Sequence, residues 1–153
     1  MFKLFFDGAS KGNPGKAGSG GVITCLEGNI EVEYYWNIGF DSNNMAEVYG
    51  LWQGIKQLKD KGVEEDIVFG DSRLIIQALN GASQSRNMRL DRMIRRAKSL
   101  TKSFRKVEFF HILRELNDLV DKAANKAMGL SKNELSVNLT IFCYYALGLI
   151  LSL

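Results

Sequence analysis

The chain has 153 residues, of which 46% are hydrophobic and 24% are charged, the proportions of one soluble globular domain with its own core. Its net charge of +3 is only mildly basic, so it permits a nucleic-acid partner without requiring one. The two cysteines, Cys25 and Cys143, are too few and too far apart for a disulfide framework or a cysteine metal site, and the opening apolar run is too short for a signal peptide. We therefore expect an intracellular protein, cytoplasmic or nuclear.

The first forty residues predict three strands. Residues 2–7 and 30–38 alternate between apolar and polar side chains, and residues 21–26 form a short apolar run. The stretch from residue 8 to residue 21 is rich in glycine and is predicted to be a loop. Short connections between the strands favour an antiparallel meander.

The remaining elements alternate between helices and strands. Apolar residues from Met45 to Leu58 follow helical spacing, with Asn43 or Asn44 as the predicted N-cap. A short strand at 67–69 is followed by two helices, predicted at 72–79 and 90–104. A fifth strand is predicted at 107–113, and a last helix of small residues at 120–127. The order βββαβααβα predicts an α/β fold with one five-stranded mixed sheet, its first three strands antiparallel, and flanking helices.

Two acids fall at one predicted edge of this sheet. If strands 1 and 4 are parallel neighbours, Asp7 and Asp71 lie at their carboxyl ends, where open α/β sheets bind ligands. Two adjacent carboxylates repel each other, so the pair is costly unless a cation or a proton intervenes. For each acid taken alone, a solvated strand end or a helix cap is the alternative interpretation.

Four short motifs occur in a fixed order along residues 1–128. They are FDGASKGNPG at 6–15, NNMAE at 43–47, GDS at 70–72 and RELNDLVDKAAN at 114–125. Together they resemble the signature of the type 1 ribonuclease H family, whose fold is the ribonuclease H-like α/β architecture. Two apolar positions of the last motif, Val120 and Ala123, depart from the family's usual alanine and leucine.

The resemblance implies four catalytic acids that bind metal, Asp7, Glu47, Asp71 and Asp121. Their hard oxygens suit Mg²⁺ or Mn²⁺, and two bound ions can activate water and stabilise a leaving oxygen. The implied reaction is sequence-independent, endonucleolytic hydrolysis of the RNA strand of RNA–DNA hybrids. Asp118 is the alternative to Asp121; counting from Arg114 and Asn117 favours Asp121, while an acid at Asp118 suits the first helical turn.

The same resemblance predicts how the hybrid is bound. It assigns the reading of the 2′-hydroxyl to Asn13, Asn43 and Asn44. Glycine lets the sugar–phosphate chain approach closely, as at Gly8. The charge of the third helix separately predicts phosphate contacts by Arg89, Arg92 and Arg96. Residues 86–106 include nine Lys or Arg residues and only one acid, Asp91. A plain turn with a capping asparagine, and a solvated helix face, would produce the same two patterns without any ligand.

The histidine content separates two kinds of family member. Some members carry a histidine in the loop before the last helix, thought to aid product release. This chain has one histidine, His111, within predicted strand 5, and residues 113–117 contain none. The chain therefore resembles the members that lack the loop histidine, and we interpret His111 as structural.

The last residues form a tail outside the family pattern. We predict a ribonuclease H-like domain at 1–130 and an apolar tail at 131–153, uncharged from residue 135 onward. Membrane association of the tail is considered but not favoured, because the run is short for an anchor and lacks a basic flank.

Two rival functions fit a chain with this pattern, a non-catalytic nucleic-acid-binding module and a retroelement-derived ribonuclease H remnant. The intact set of four acids argues against a pure binding module, which gains nothing from negative charge beside phosphates. No obligate protein partner is indicated.

Overall fold

The computed structural model describes residues 1–139, and the remainder of the predicted tail lies outside the described residues. Its six strands are β1 (Phe2–Gly12), β2 (Gly15–Cys25), β3 (Ile30–Asp41), β4 (Glu65–Gly70), β5 (Lys106–His111) and β6 (Leu135–Leu139). Its four α-helices are α1 (Asn43–Asp60), α2 (Arg73–Leu79), α3 (Met88–Leu100) and α4 (Asp118–Ala127). Short 3₁₀ turns at Thr101–Ser103 and Arg114–Asn117 follow α3 and precede α4.

The strands form one mixed sheet in the order β5-β4-β1-β2-β3-β6. Strands β1, β2 and β3 are antiparallel neighbours, whereas β1, β4 and β5 run parallel, which confirms the predicted α/β class and the mixed sheet.

The expected count of five strands is wrong by one, because β6 pairs antiparallel with the outer edge of β3. Leu135, Val137 and Leu139 alternate with polar residues, which is strand spacing, and the edge of β3 offers unpaired backbone groups to such a segment.

The glycine-rich stretch is not a loop, contrary to the sequence-based prediction. Strands β1 and β2 pair without interruption from Phe2–Cys25 to the tight turn at Gly12–Gly15. Glycine is needed where helices lie against these strands: a Cβ at Gly20 would come within 2.7 Å of the backbone nitrogen of Ala124 in α4. The glycines therefore allow a helix to pack closely against the strands and do not form a flexible connection.

The core lies between one face of the sheet and helices α1, α2 and α3. Tyr34 of β3 is fully buried there, and its hydroxyl donates to the carbonyl of Gly50 in α1 at 2.5 Å. The predicted apolar face of α3 is buried on the same side, through Leu90, Met93, Ile94 and Ala97. Helix α4 covers the opposite face, because Gly20 contacts α4 whereas its neighbour Gly21 contacts Tyr34.

Two helix ends differ from the prediction. Helix α1 is capped by Ser42, whose side chain accepts a hydrogen bond from the Met45 nitrogen at 3.2 Å, and not by Asn43 or Asn44. Helix α3 ends at Leu100 because a 3₁₀ turn replaces its predicted last residues. Among residues 1–139, none of the helices is both long and apolar enough to span a bilayer.

Candidate active site

Three acids meet where β1 and β4 separate. The parallel pairing of these strands ends at Phe5 and Phe69; Asp7 lies two residues further along β1, and Asp71 directly follows β4. Glu47 is the fifth residue of α1. Carboxylate oxygens of Asp7, Glu47 and Asp71 all lie within 4.8 Å of one another. The topology therefore brings together acids that are far apart in the sequence.

Glycine makes this approach possible. A Cβ at Gly8 would fall 2.2 Å from the backbone nitrogen of Glu47, and one at Gly50 would fall 2.8 Å from the carbonyl oxygen of Asp7. The backbone of α1 thus rests directly on β1 beside the acids. Any larger residue at Gly8 or Gly50 would push the helix, and Glu47 with it, away from Asp7.

The acids open into a cavity of about 440 Å³, hereafter the acid cavity. Its lining residues are Asp7, Gly8, Ala9, Ser10, Asn43, Glu47, Asp71, Ser72, Arg114, Asp121 and Asn125. Asp121 reaches the cavity from α4, which packs on the β2 glycines. Asp118 is exposed outside the cavity lining and pairs with Lys122 at 3.1 Å.

Burial and the charges of neighbouring acids raise the pKa of Asp7 and of Glu47. Burial raises the pKa of Asp7 to about 7, and the negative charges of Asp71 and Asp121 act in the same direction, against the hydrogen bond that Asp7 accepts from the Gly8 nitrogen. The pKa of Glu47 is raised well above its usual value by burial and then by Asp7 and Asp71. Without a counter-charge, Asp7 and Glu47 therefore resist ionisation near neutral pH.

The donor set fits a divalent cation. Within residues 1–139, one carboxylate oxygen of Glu47, Oε2, is buried without a hydrogen-bond partner. A buried oxygen of this kind is costly unless it accepts a hydrogen bond or binds a cation. Carboxylate oxygens converging from Asp7, Glu47 and Asp71 are the ligands that hard divalent ions prefer.

Two residues of the last motif have contacts that the sequence did not assign. Asn117 is 1% exposed, and its Nδ2 donates to the Phe6 carbonyl at 2.9 Å and to Oδ2 of Asp71 at 3.3 Å. Arg114 lines the acid cavity, and its charge acts to lower the pKa of Glu47. Both lie in RELNDLVDKAAN, so the motif marked them, but only the fold shows which acids they face.

The predicted asparagines lie together beside the acid cavity. Asn43 lines the acid cavity itself, and its backbone nitrogen donates to Oδ1 of Asn13 at 3.1 Å. Asn13 and Asn44 line a neighbouring cavity of about 700 Å³ that also contains Arg73 and Arg86. The structure thus places Gly8 and Asn43 in the acid cavity and Asn13 and Asn44 in the cavity beside it.

The predicted arginines are not gathered at one place. Arg89 is held by Asp41 through two hydrogen bonds of 2.8 and 2.7 Å, whereas Arg92 and Arg96 are exposed on α3. Within the described part of the chain, four of the nine basic residues between 86 and 106 form ion pairs: Arg89, Arg95, Arg105 and Lys106. Some basic residues of this run are therefore held by ion pairs within the protein, and the others form no such pair in the described part of the chain.

His111 is the last residue of β5, as expected from its place in predicted strand 5. Its ring is exposed, and Nε2 lies 3.1 Å from the carbonyl oxygen of Asp71. The histidine therefore contacts the backbone that carries one of the acids.

Comparisons with known proteins agree with this geometry. The family described as reverse transcriptase-like matches residues 5–127. The chain is 36% identical over 124 residues to ribonuclease HI of Halobacterium salinarum, covering 81% of this chain and 62% of that protein. The crystal structure of RNase H1 from the same species has a TM-score of 0.81 at 34% identity, with 84% of this chain and 97% of that one covered.

A second solved structure adds a bound ligand to the comparison. LC11-RNase H1, solved in complex with an RNA/DNA hybrid, has a TM-score of 0.79 at 30% identity and covers 84% of this chain and 97% of its own. The chain spans 62% of the length of the curated halobacterial relative. With its family match over 5–127 and its acids in one cavity, the chain belongs to the reverse transcriptase-like family and, within it, to the type 1 ribonucleases H.

Proposed function

We propose that this protein is a metal-dependent endonuclease that hydrolyses the RNA strand of RNA–DNA hybrids without sequence preference. The observation that carries the proposal is the convergence of Asp7, Glu47 and Asp71 within 4.8 Å in an open cavity. The relative solved with a bound RNA/DNA hybrid shares this fold at 30% identity, which supports the substrate class.

The acids are proposed to hold Mg²⁺ or Mn²⁺, with Asp121 as the fourth ligand. A bound divalent cation lowers the pKa of water and stabilises negative charge on phosphodiester oxygens. Residues around the acids position them for this role. Asn117 orients the Asp71 carboxylate, and the absence of a side chain at Gly8 lets Glu47 lie beside Asp7. Cation binding competes with the protons that Asp7 and Glu47 otherwise retain.

The hybrid is proposed to lie along the concave surface next to the acids. Asn13, Asn43 and Asn44 can donate to and accept from a ribose 2′-hydroxyl, the group that distinguishes RNA from DNA. Alanine at all three positions should weaken hybrid cleavage while leaving its metal requirement unchanged.

Phosphate contacts are assigned chiefly to Arg92 and Arg96, which are exposed. Arg89 contributes less because Asp41 already binds its guanidinium group.

Cleavage is proposed to proceed without a histidine in the loop before α4. The rival function, a non-catalytic hybrid-binding module, does not explain why acids cluster beside the surface assigned to phosphates. Metal-free carboxylates there repel a polyanion.

The deciding experiment is a gel assay of a labelled hybrid with the full chain, with and without Mg²⁺. We expect cleavage of the RNA strand only with the cation, and none of the matched DNA duplex. Asp71→Asn serves as the control, since it removes a charge and little volume. Hybrid binding without cleavage under any divalent cation would favour the binding module.

The domain is proposed to end near residue 130, with the tail as an addition. The family match ends at residue 127, and β6 adds a strand to the outer edge of β3, away from the acids. Chains truncated after Lys132 and after Leu139 should both cleave the hybrid. The shorter chain should be the less stable of the two, because the edge of β3 loses its partner. Loss of cleavage in both truncated chains would show that the tail belongs to the nuclease.

A further inference from the structure

A second concave surface lies between the later half of α1 and the end of α3. Its volume is about 510 Å³, and its lining residues are Trp52, Lys59, Arg96, Ser99, Leu100, Lys102 and Ser103. Three of these residues are cationic and none is acidic. We call this surface the basic groove; its charge is opposite to that of the acid cavity.

The cations of the basic groove are available for a ligand. Lys59, Arg96 and Lys102 are exposed, and within residues 1–139 none of the three lies within ion-pair distance of a carboxylate. Like charges around one concavity repel each other, so an anion bound there lowers the energy of all three. This distinguishes them from Arg95 on the same helix, which Asp91 holds at 2.9 Å.

The floor of the groove is an anchored aromatic residue. The Trp52 ring lies 6.2 Å from the Trp36 ring, centroid to centroid, and Lys56 Nζ lies 4.6 Å from the Trp52 centroid. Lys56 therefore places a further positive charge against the same indole, although it does not line the groove. Because a lysine already lies over the indole, the groove offers contacts to phosphates more readily than a platform for base stacking.

The position of the groove sets which phosphates can reach it. Lys59 follows Glu47 by twelve residues of α1, so it lies roughly 18 Å further along the helix axis. At about 3.4 Å per nucleotide along a strand, this distance corresponds to about five nucleotides. Helix α3 runs beside α1 in the same direction, since Arg89 meets Asp41 at one end and Arg96 faces Trp52 further along.

We propose that the basic groove binds backbone phosphates of the nucleic acid about five or more nucleotides from the cleaved bond. This inference rests on the proposed function and extends it, since it makes affinity depend on substrate length. A hybrid that fills only the acid cavity gains nothing from the groove, whereas a longer one gains two or more phosphate contacts and their counterion release.

The test compares hybrids of two lengths, bound to the full chain in EDTA so that no cleavage occurs. The long hybrid has about 20 base pairs, and the short one has about 4 base pairs closed at one end by an uncharged linker, so that it is shorter than the distance from the acids to the groove. The groove variant is Lys59→Glu/Lys102→Glu. Its matched control, Arg95→Glu/Lys98→Glu, changes the net charge equally on exposed α3 positions outside the groove. We expect the groove variant to lose about tenfold in affinity for the long hybrid, with the salt dependence reduced by about two contacts, and to bind the short hybrid normally.

Three outcomes would overturn the proposal. The first is an equal loss of affinity in the groove and control variants, and the second is an equal loss of affinity for the short and long hybrids. The third is that inorganic phosphate, compared with chloride at the same ionic strength, removes the dependence of affinity on hybrid length. The last would indicate a site for a single anion. Thermal unfolding of both variants confirms that they are folded. Cleavage with Mg²⁺ is scored separately, so a wild-type chain that binds with length dependence but does not cut defeats only the proposed function.

Discussion

Two acids near the opposite ends of strand β4 lie in different surroundings. Asp71 opens into the acid cavity together with Asp7 and Glu47. Asp66, five residues earlier, is 1% exposed, and within residues 1–139 neither of its carboxylate oxygens has a hydrogen-bond partner. Burial raises the pKa in both regions, of Asp7 to about 7 and of Asp66 to about 8.

The difference shows what a raised pKa means in each place. At Asp7 the charges of other acids add to burial, so a cation that enters the cavity relieves several repulsions at once. At Asp66 burial acts without any neighbouring acid, and the pKa is lowered by the Ile67 backbone N–H and then by the terminal amino group of the chain. A proton removes the charge of Asp66, whereas a cation balances the charges of several acids in the cluster at once. Convergence and access, more than a raised pKa, therefore identify the metal site.

The largest expected effect tests the cluster. Asp7→Asn or Asp71→Asn should lower hybrid cleavage by about 10³-fold or more, because a lost ligand removes several kcal/mol of transition-state stabilisation. The fold should persist, and the melting temperature in metal-free buffer should equal or exceed that of the wild type, since repulsion is relieved. Gel assays and thermal unfolding measure the two effects. A wild-type cleavage rate in either variant would contradict the site.

Much of the fold could be predicted because the hydrophobic periodicity is strong. Helical spacing from Met45 to Leu58 and alternation at 30–38 fixed the order of elements, and that order places Asp7 and Asp71 at one edge. The antiparallel pairing of β1 with β2 was predicted, but its continuation through the glycine-rich residues was not, because these glycines indicate a loop in the sequence. Their actual role, to admit α1 and α4, depends on contacts made only in the folded chain.

The site was predicted through motifs, and its supporting contacts were not. Nothing in the sequence says that Asn117 donates to Asp71 or that Asp41 occupies Arg89, because these pairs are 46 and 48 residues apart. Asp66 precedes the apolar run of β4 and looks like a solvated strand end. Only the pairing of β4 between β1 and β5 places it inside the protein.

The next effect compares the acid of α4 that lines the cavity with one that does not. Asp121→Asn should reduce cleavage by about 10²-fold and weaken its dependence on metal concentration, because Asp121 lines the acid cavity. Asp118→Asn should leave the cleavage rate unchanged and lower the free energy of unfolding by about 0.3–1 kcal/mol, through its exposed pair with Lys122 and the helix terminus. If Asp118→Asn loses more cleavage activity than Asp121→Asn, the alignment of the last motif is wrong and Asp118 is the fourth metal ligand.

The smallest expected effect concerns Asp66. Asp66→Val should raise the free energy of unfolding by about 1–3 kcal/mol at neutral pH, because it removes a buried polar group without a partner and places a β-branched residue in a strand. Its folded pKa, about 8, lies above the unfolded value of 3.8, so the folded chain retains a proton that the unfolded chain has lost. Wild-type stability should therefore fall as pH rises from about 4 to about 8, and the variant should lack this part of the slope.

Urea unfolding across this pH range, with and without Mg²⁺, separates the two buried acid regions. The cation should remove the part of the slope that comes from Asp7 and Glu47, because it replaces their protons, and should leave the Asp66 part in place. In the Asp66→Val variant with Mg²⁺, stability should then be nearly independent of pH between about 5 and 8. An unchanged slope in Asp66→Val would mean that Asp66 is ionised in the folded chain, and that the contrast between the two regions is wrong.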